Sequence, residues 1–202
     1  LLACAEMLRG GTTCFSDMYF YPGAAASAVE EAGMRACLGL VVLDFPTPYA
    51  ADADDYLNKG LAVRDTLRNS SRITTCLAPH APYTVSDRTF EKVLTYAEQL
   101  NLNIHTHLHE THDELTQGEK QYGMRPLQRI AGLGLLGPGL MAAHGVHLTP
   151  GEIELLAERG CHIAHCPTQN LKLASGIAPI SALPRAAIQL GRWAACTAHN
   201  HP

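Results

Sequence analysis

Residues 104–110 read Ile104-His105-Thr106-His107-Leu108-His109-Glu110, and the fold is decided by how this stretch is read. In an extended strand, side chains alternate between faces, so His105, His107 and His109 share one face while Thr106 and Leu108 take the other. Three imidazoles on one face, followed by a carboxylate where the strand gives out, exceed what packing asks for. Neutral imidazole suits zinc and similar ions, and a nearby carboxylate can carry protons.

Working outward, the other apolar runs lie at 12–18, 36–45, 73–82, 140–148 and 161–167. They are apolar without alternation, as strands buried on both faces are. Helical patterns separate them at 22–33, 55–68 and 88–100, in part of 111–132, and after Thr149. Ser86-Asp87 and Thr149-Pro150-Gly151-Glu152 carry helix-start signals. The segment TQNLKLASG (168–176) reads as a loop and 180–190 as a last helix. Strand–helix alternation predicts an α/β fold with a parallel sheet. Two architectures satisfy it, an open doubly wound sheet and a (β/α)8 barrel. No glycine-rich phosphate-binding pattern follows a strand, which weakens the first. His80, His107, His144 and His165 each close an apolar run. Functional groups drawn from several strand ends are the habit of a barrel, so the barrel is favoured. With no repeat, linker or low-complexity segment, residues 1–190 read as one domain.

A chain of 202 residues with a formal charge of −4 gives no electrostatic case for a nucleic-acid or anionic-membrane partner. No apolar run is long enough to cross a bilayer. The seven cysteines are odd in number and form no C-x-x-C pair, so they read as buried thiols in a reducing cytoplasm. All eleven histidines lie from His80 onward. The chain starts at Leu1, in what reads as mid-helix, and is expected to be a fragment.

The spacing His107-x-x-Glu110 fits a metal hydrolase. His107 would hold the ion, Glu110 would reach its water and the substrate, and His144 would stabilise the attacking hydroxide. Zinc lowers the pKa of a bound water to about 7. At these residues the chain resembles the amidohydrolase superfamily, and within it the 5-methylthioadenosine/S-adenosylhomocysteine deaminase-like branch. The segments that carry the likeness are GGTTCFSDMY (10–19), LAPHAPYTVS (77–86), IHTHLHET (104–111), AAHGVHL (142–148) and HCPTQNLKLASGIAP (165–179). The resemblance implies a zinc-type (β/α)8 TIM barrel, here roughly strands 2 to 7 of 8. It implies His107 as the metal ligand after the fifth strand, Glu110 as the proton shuttle, His144 as the histidine touching the attacking water, and His80 as a substrate-pocket residue. His105 reads as a barrel-interior residue and His109 as a rim residue, and neither they nor His165 inherit a role. The implied reaction is hydrolytic deamination of an adenosine-type purine by metal-hydroxide attack, with release of ammonia.

Two family features have no counterpart here, an H-x-H pair after the first strand and an aspartate after the eighth. Most ligands of the single divalent ion would therefore lie outside this sequence, and the chain as given is expected to be inactive. Residues 191–202, GRWAACTAHNHP, read as a tail unlike a native strand, and its His199-x-His201 is not taken for the missing pair. The alternatives are another aminohydrolase, acting on a guanine, triazine or pyrimidine-like ring, and a non-catalytic truncated barrel. The expected partner is a small purine nucleoside-like molecule; oligomeric state is unread.

Overall fold

The apolar runs become strands and the segments between them become helices in the computed structural model, which describes residues 1–183, 186 and 188–192. The chain divides into two compact units, Leu1–His80 with Thr84–His105, and Ala81–Tyr83 with Thr106–Pro202.

The first unit contains α1 (Leu2–Arg9), β1 (Cys14–Tyr19), α2 (Pro22–Ala32), β2 (Arg35–Val42), α3 (Ala53–Thr66), β3 (Ile73–Pro79), α4 (Asp87–Leu100) and the start of β4 (Ile104–Leu108). Pairing is parallel throughout. β1 and β2 run together from Cys14↔Arg35 to Tyr19↔Leu40, and β2 and β3 from Ala36↔Ile73 to Val42↔Pro79. Leu77↔Ile104 joins β3 to β4. The close approach of β2 to its neighbours requires Gly39. A Cβ there would stand 2.5 Å from the Asp17 carbonyl oxygen and 3.0 Å from Ala78 Cβ. α4 starts where Ser86 Oγ accepts the Thr89 amide, and it buries Phe90, Val93 and Ala97 at the spacing of one helix face. Cys4, Ala26, Val29, Met34, Ala36, Leu38 and Ile73 form a continuous apolar core under α1 and α2.

The second unit takes in the end of β4, then α5 (His112–Tyr122), α6 (Pro126–Gly132), β5 (Leu140–His144), α7 (Pro150–Glu158), β6 (His162–His165), α8 (Pro167–Lys172) and β7 (Gln189–Arg192). β5 pairs with β6 from Met141↔His162 to Ala143↔Ala164, and β6 with β7 from His162↔Gln189 to His165↔Arg192, all parallel. α7 opens with the capping box its sequence announced, Thr149 and Glu152 each taking the other's backbone N–H.

Within each unit the strands lie side by side in chain order. A doubly wound sheet reverses its strand order at a switch point, whereas a barrel does not. The fold is α/β, that of an incomplete (β/α)8 barrel.

Three local expectations change. Part of the segment read as a loop, 168–172, belongs to α8, a six-residue helix with proline in its first turn and Asn170 buried beneath it. Of the helix expected at 180–190, the described residues show a turn over 180–183 and a 3-10 turn at Ala186, whose amide donates to the Ala182 and Leu183 carbonyls; β7 begins at Gln189. β7 ends at Arg192. His199 and His201 lie outside the described residues. Third, β4 stops at Leu108, and His109 has a φ of 53°, so the three histidines do not share one face.

Candidate active site

The site is built where β4 and β5 end. Past Leu108 the chain turns through His109 in the left-handed region, uncommon for a residue with a Cβ. Four backbone groups are tied down there. The Gly145 amide donates to the Leu108 carbonyl at 3.0 Å and the Val146 amide to the His109 carbonyl at 3.0 Å. The Glu114 carboxylate, from the first turn of α5, accepts the His109 amide on one oxygen and the Glu110 amide on the other, each at 2.8 Å. β5 ends in the same manner, with His144 at φ 76° and Gly145 at φ 57°. Both turns release their side chains at the carboxyl ends of parallel strands.

His107 and His144 are thereby brought face to face, ring centroids 5.3 Å apart and planes tilted by 34°. His144 Nε2 lies 3.5 Å from Glu110 Oε1. On its other side, His144 Nδ1 lies 2.7 Å from Asn170 Oδ1. An amide oxygen only accepts, so Nδ1 carries the hydrogen and Nε2 the lone pair. Burial lowers the His144 pKa, countered by the Asn170 bond and reinforced by His165, so the ring is neutral near pH 7. A lone pair and a carboxylate oxygen, two acceptors, therefore face one another. That arrangement suits something positive between them, a proton or a metal ion, and a buried amide orienting an imidazole is how proteins prepare a metal ligand. His107 and His144 are of the right donor chemistry for zinc. Among the described residues no group of three or more His, Cys, Asp or Glu is arranged to hold an ion.

Glu110 colours its neighbours. Burial pushes the Tyr83 phenol up to about 12, and the charges of Glu110 and Glu114 add to the rise. Burial, with Glu110 adding, pushes the Cys166 thiol up to about 11, so it is an inert core thiol. Glu114 itself is 2% exposed, and burial pushes it up to about 7 against the pull of its two amides.

His109 is not a rim residue. It is fully buried, its Nε2 accepting the Leu127 amide at 3.2 Å. Burial pushes its pKa down to about 4, so at 3.7 Å from Glu152 it is a neutral neighbour. The charge partner of Glu152 is Arg125, whose Nε and Nη2 donate to the two carboxylate oxygens at 2.7 and 2.9 Å. His105 and His165 are also buried. His80 belongs to the first unit. It follows β3 directly, its amide donating to the Val42 carbonyl at 3.1 Å and its Nδ1 lying 2.9 Å from Thr84 Oγ1.

Of the residues picked from sequence, His107, Glu110 and His144 come together in the second unit. Asn170 and Glu114 were not singled out. Asn170 stands in the HCPTQNLKLASGIAP segment, but a segment read as loop gives no reason to aim it at a strand end. Glu114 had a signal, Thr111-x-x-Glu114 just past a strand, the pattern of an N-cap and its third helical residue.

The amidohydrolase family model matches residues 1–190. The 5-methylthioadenosine/S-adenosylhomocysteine deaminase of Teredinibacter turnerae is 48% identical over 189 residues, covering 94% of this chain and 43% of that protein. The protein of the same name from Saccharophagus degradans is 50% identical over 182 residues, covering 90% of this chain and 41% of its own. A crystal structure of an adenosine deaminase from Xanthomonas campestris with bound zinc superposes with a TM-score of 0.92 at 47% identity, covering 95% of this chain and 44% of that one. The chain thus spans less than half the length of the relatives it matches.

Proposed function

The chain belongs to the amidohydrolase family, and from that premise we propose that it supplies the β4 and β5 side of a metal-dependent deaminase site for an adenosine-type purine nucleoside, of the 5-methylthioadenosine/S-adenosylhomocysteine class. The observation that carries this reading is the Glu110–His144 pair, with Asn170 fixing the His144 tautomer and His107 stacked beside it. His107 is the residue we assign to the ion, with His144 as its close neighbour. A divalent ion such as zinc, when bound, acidifies a water and polarises the carbon under attack.

The remaining work falls to the side chains. Overall, water adds to the amine-bearing ring carbon, the ring nitrogen gains a proton, and ammonia leaves to give the oxo product. Glu110 takes one proton from the water and passes it to the ring nitrogen, then carries the proton of the added hydroxyl to the amino group, which leaves as ammonia as the oxo group forms, the task of a carboxylate within reach of all three. His144, neutral and accepting at Nε2, holds the water's remaining hydrogen in line. His80, after β3, is assigned to the purine pocket. The class of site calls for a small-molecule partner in the cytoplasm, which the unpaired cysteine count also favours.

The test is ammonia release from 5-methylthioadenosine, S-adenosylhomocysteine, adenosine and guanine, by the zinc-loaded protein expressed from its whole reading frame. Turnover of the first two, with at least about a hundredfold loss of kcat in Glu110→Gln at unchanged zinc content, is expected. Glu110→Gln within a few fold of the parent would sink the shuttle assignment. Preference for guanine would move the protein to another aminohydrolase class.

A further inference from the structure

We propose that Glu114 is the positioning residue for Glu110, its carboxylate clamping the two amides that set the Glu110 backbone at the end of β4. The inference rests on Glu110 being the proton shuttle.

A glutamate in the third helical position ordinarily caps its own helix, taking the N–H of the N-cap residue. α7 shows that arrangement, Glu152 accepting the Thr149 amide at 2.8 Å while Thr149 Oγ1 accepts the Glu152 amide. α5 has the same local pattern, with Thr111 Oγ1 accepting the Glu114 amide at 3.2 Å. Yet the Glu114 carboxylate passes over the N-cap. Its two oxygens go to the amides of His109 and Glu110, upstream of the helix. One of those residues is the left-handed His109. Such a conformation costs of order 1 kcal/mol or more and persists only when its surroundings over-determine it. A carboxylate gripping the amides on both sides of the His109 Cα does so. It fixes where the Glu110 Cβ emerges from the strand end, and so where its carboxylate meets His144.

Tyr83 and Pro126 line the same cavity as Glu114, and Arg125 and Glu110 act on its charge. Replacing Glu114 with glutamine keeps the shape but leaves one oxygen. The other position becomes an NH2, which cannot accept and would oppose an amide donor.

The experiment is a double-mutant cycle in the whole zinc-loaded protein, comparing the parent, Glu110→Gln, Glu114→Gln and the double variant. Glu114→Gln is expected to lower kcat by about tenfold to a hundredfold with KM within about threefold and zinc content unchanged. In the Glu110→Gln background the same change is expected to cost less than about threefold, because the residue it positions has already lost its function. An equal fold loss in both backgrounds, a loss that tracks zinc content, or kcat within about threefold of the parent overturns the proposal. If Glu114→Gln yields no folded protein, Glu114→Asp replaces it in the cycle. It keeps the charge but is one methylene too short to hold both amides, and the same outcomes apply. The parent-to-Glu110→Gln arm alone tests the shuttle. Its failure is therefore visible apart from additivity in the cycle.

Discussion

His107 and His109 stand two residues apart, and a period-two reading gives them equal claim to an ion. The backbone separates them. His107 lies within β4 and stacks on His144, whereas His109 is past the strand's end, buried, and spends its Nε2 on the Leu127 amide. His107→Ala is expected to strip zinc from the whole protein, read by elemental analysis. His109→Ala is expected to keep it while losing about 1–3 kcal/mol of stability in urea unfolding, because a buried donor loses its acceptor. Equal zinc loss in the two would put the ligand assignment in the wrong register. Asn170 is the companion case. Asn170→Ala frees the His144 ring to flip and to change tautomer, and the cost of losing such an orienting partner is about tenfold to a hundredfold in kcat/KM or zinc affinity. Activity within twofold of the parent would mean that the Asn170 contact does not orient His144.

At the scale of elements, what was legible in the sequence is what local chemistry dictates. The strands showed because a parallel strand buried on both faces must be apolar at every position. α4 and α7 showed through caps, since Ser86 and Thr149 offer an oxygen to amides the helix leaves unpaired. Thr149→Ala removes one half of the α7 capping box and is expected to cost about 1 kcal/mol in urea unfolding at unchanged kcat. A larger cost, with loss of activity, would mean that Glu152 also depends on Thr149 to hold Arg125. The elements that were misread are those set by distant partners. α8 is only six residues long, too short for a periodic signal, and Asn170 on it is buried by reason of His144. The end of β4 was misplaced because a strand pattern has no local reason to stop at Leu108. The stop comes from Glu114, six residues on, and from the Gly145 and Val146 amides.

Taken over the whole molecule, burial acts on acids and bases with opposite sign, and the pH dependence of stability carries the difference. His109, pushed down to about 4, is neutral in the fold above that pH and charged in the unfolded chain below the ordinary histidine value of 6.5. Its contribution is present above about pH 6.5 and is lost as pH falls towards 4. His144 and His147, also lowered by burial, act in the same direction. Glu114 acts against them. Its carboxyl is raised from 4.5 to about 7, so between these values the folded protein holds a proton on one oxygen that the unfolded chain has released, and above about 7 both oxygens are bare and accept the two amides. Its contribution is present in full below about pH 4.5 and is lost as pH rises through 7. The parent is therefore expected to show a muted pH dependence across this window, the histidine and glutamate contributions offsetting each other. Glu114→Gln cannot titrate and removes only the second. The stability of this variant relative to the parent, by urea unfolding of the whole protein, is expected to rise between about pH 5 and about pH 8, by on the order of 2–3 kcal/mol. A relative stability that stays flat or falls over that interval would mean that the His109 and Glu110 amides outweigh burial. Glu114 would then be an ordinary charged carboxylate in the fold.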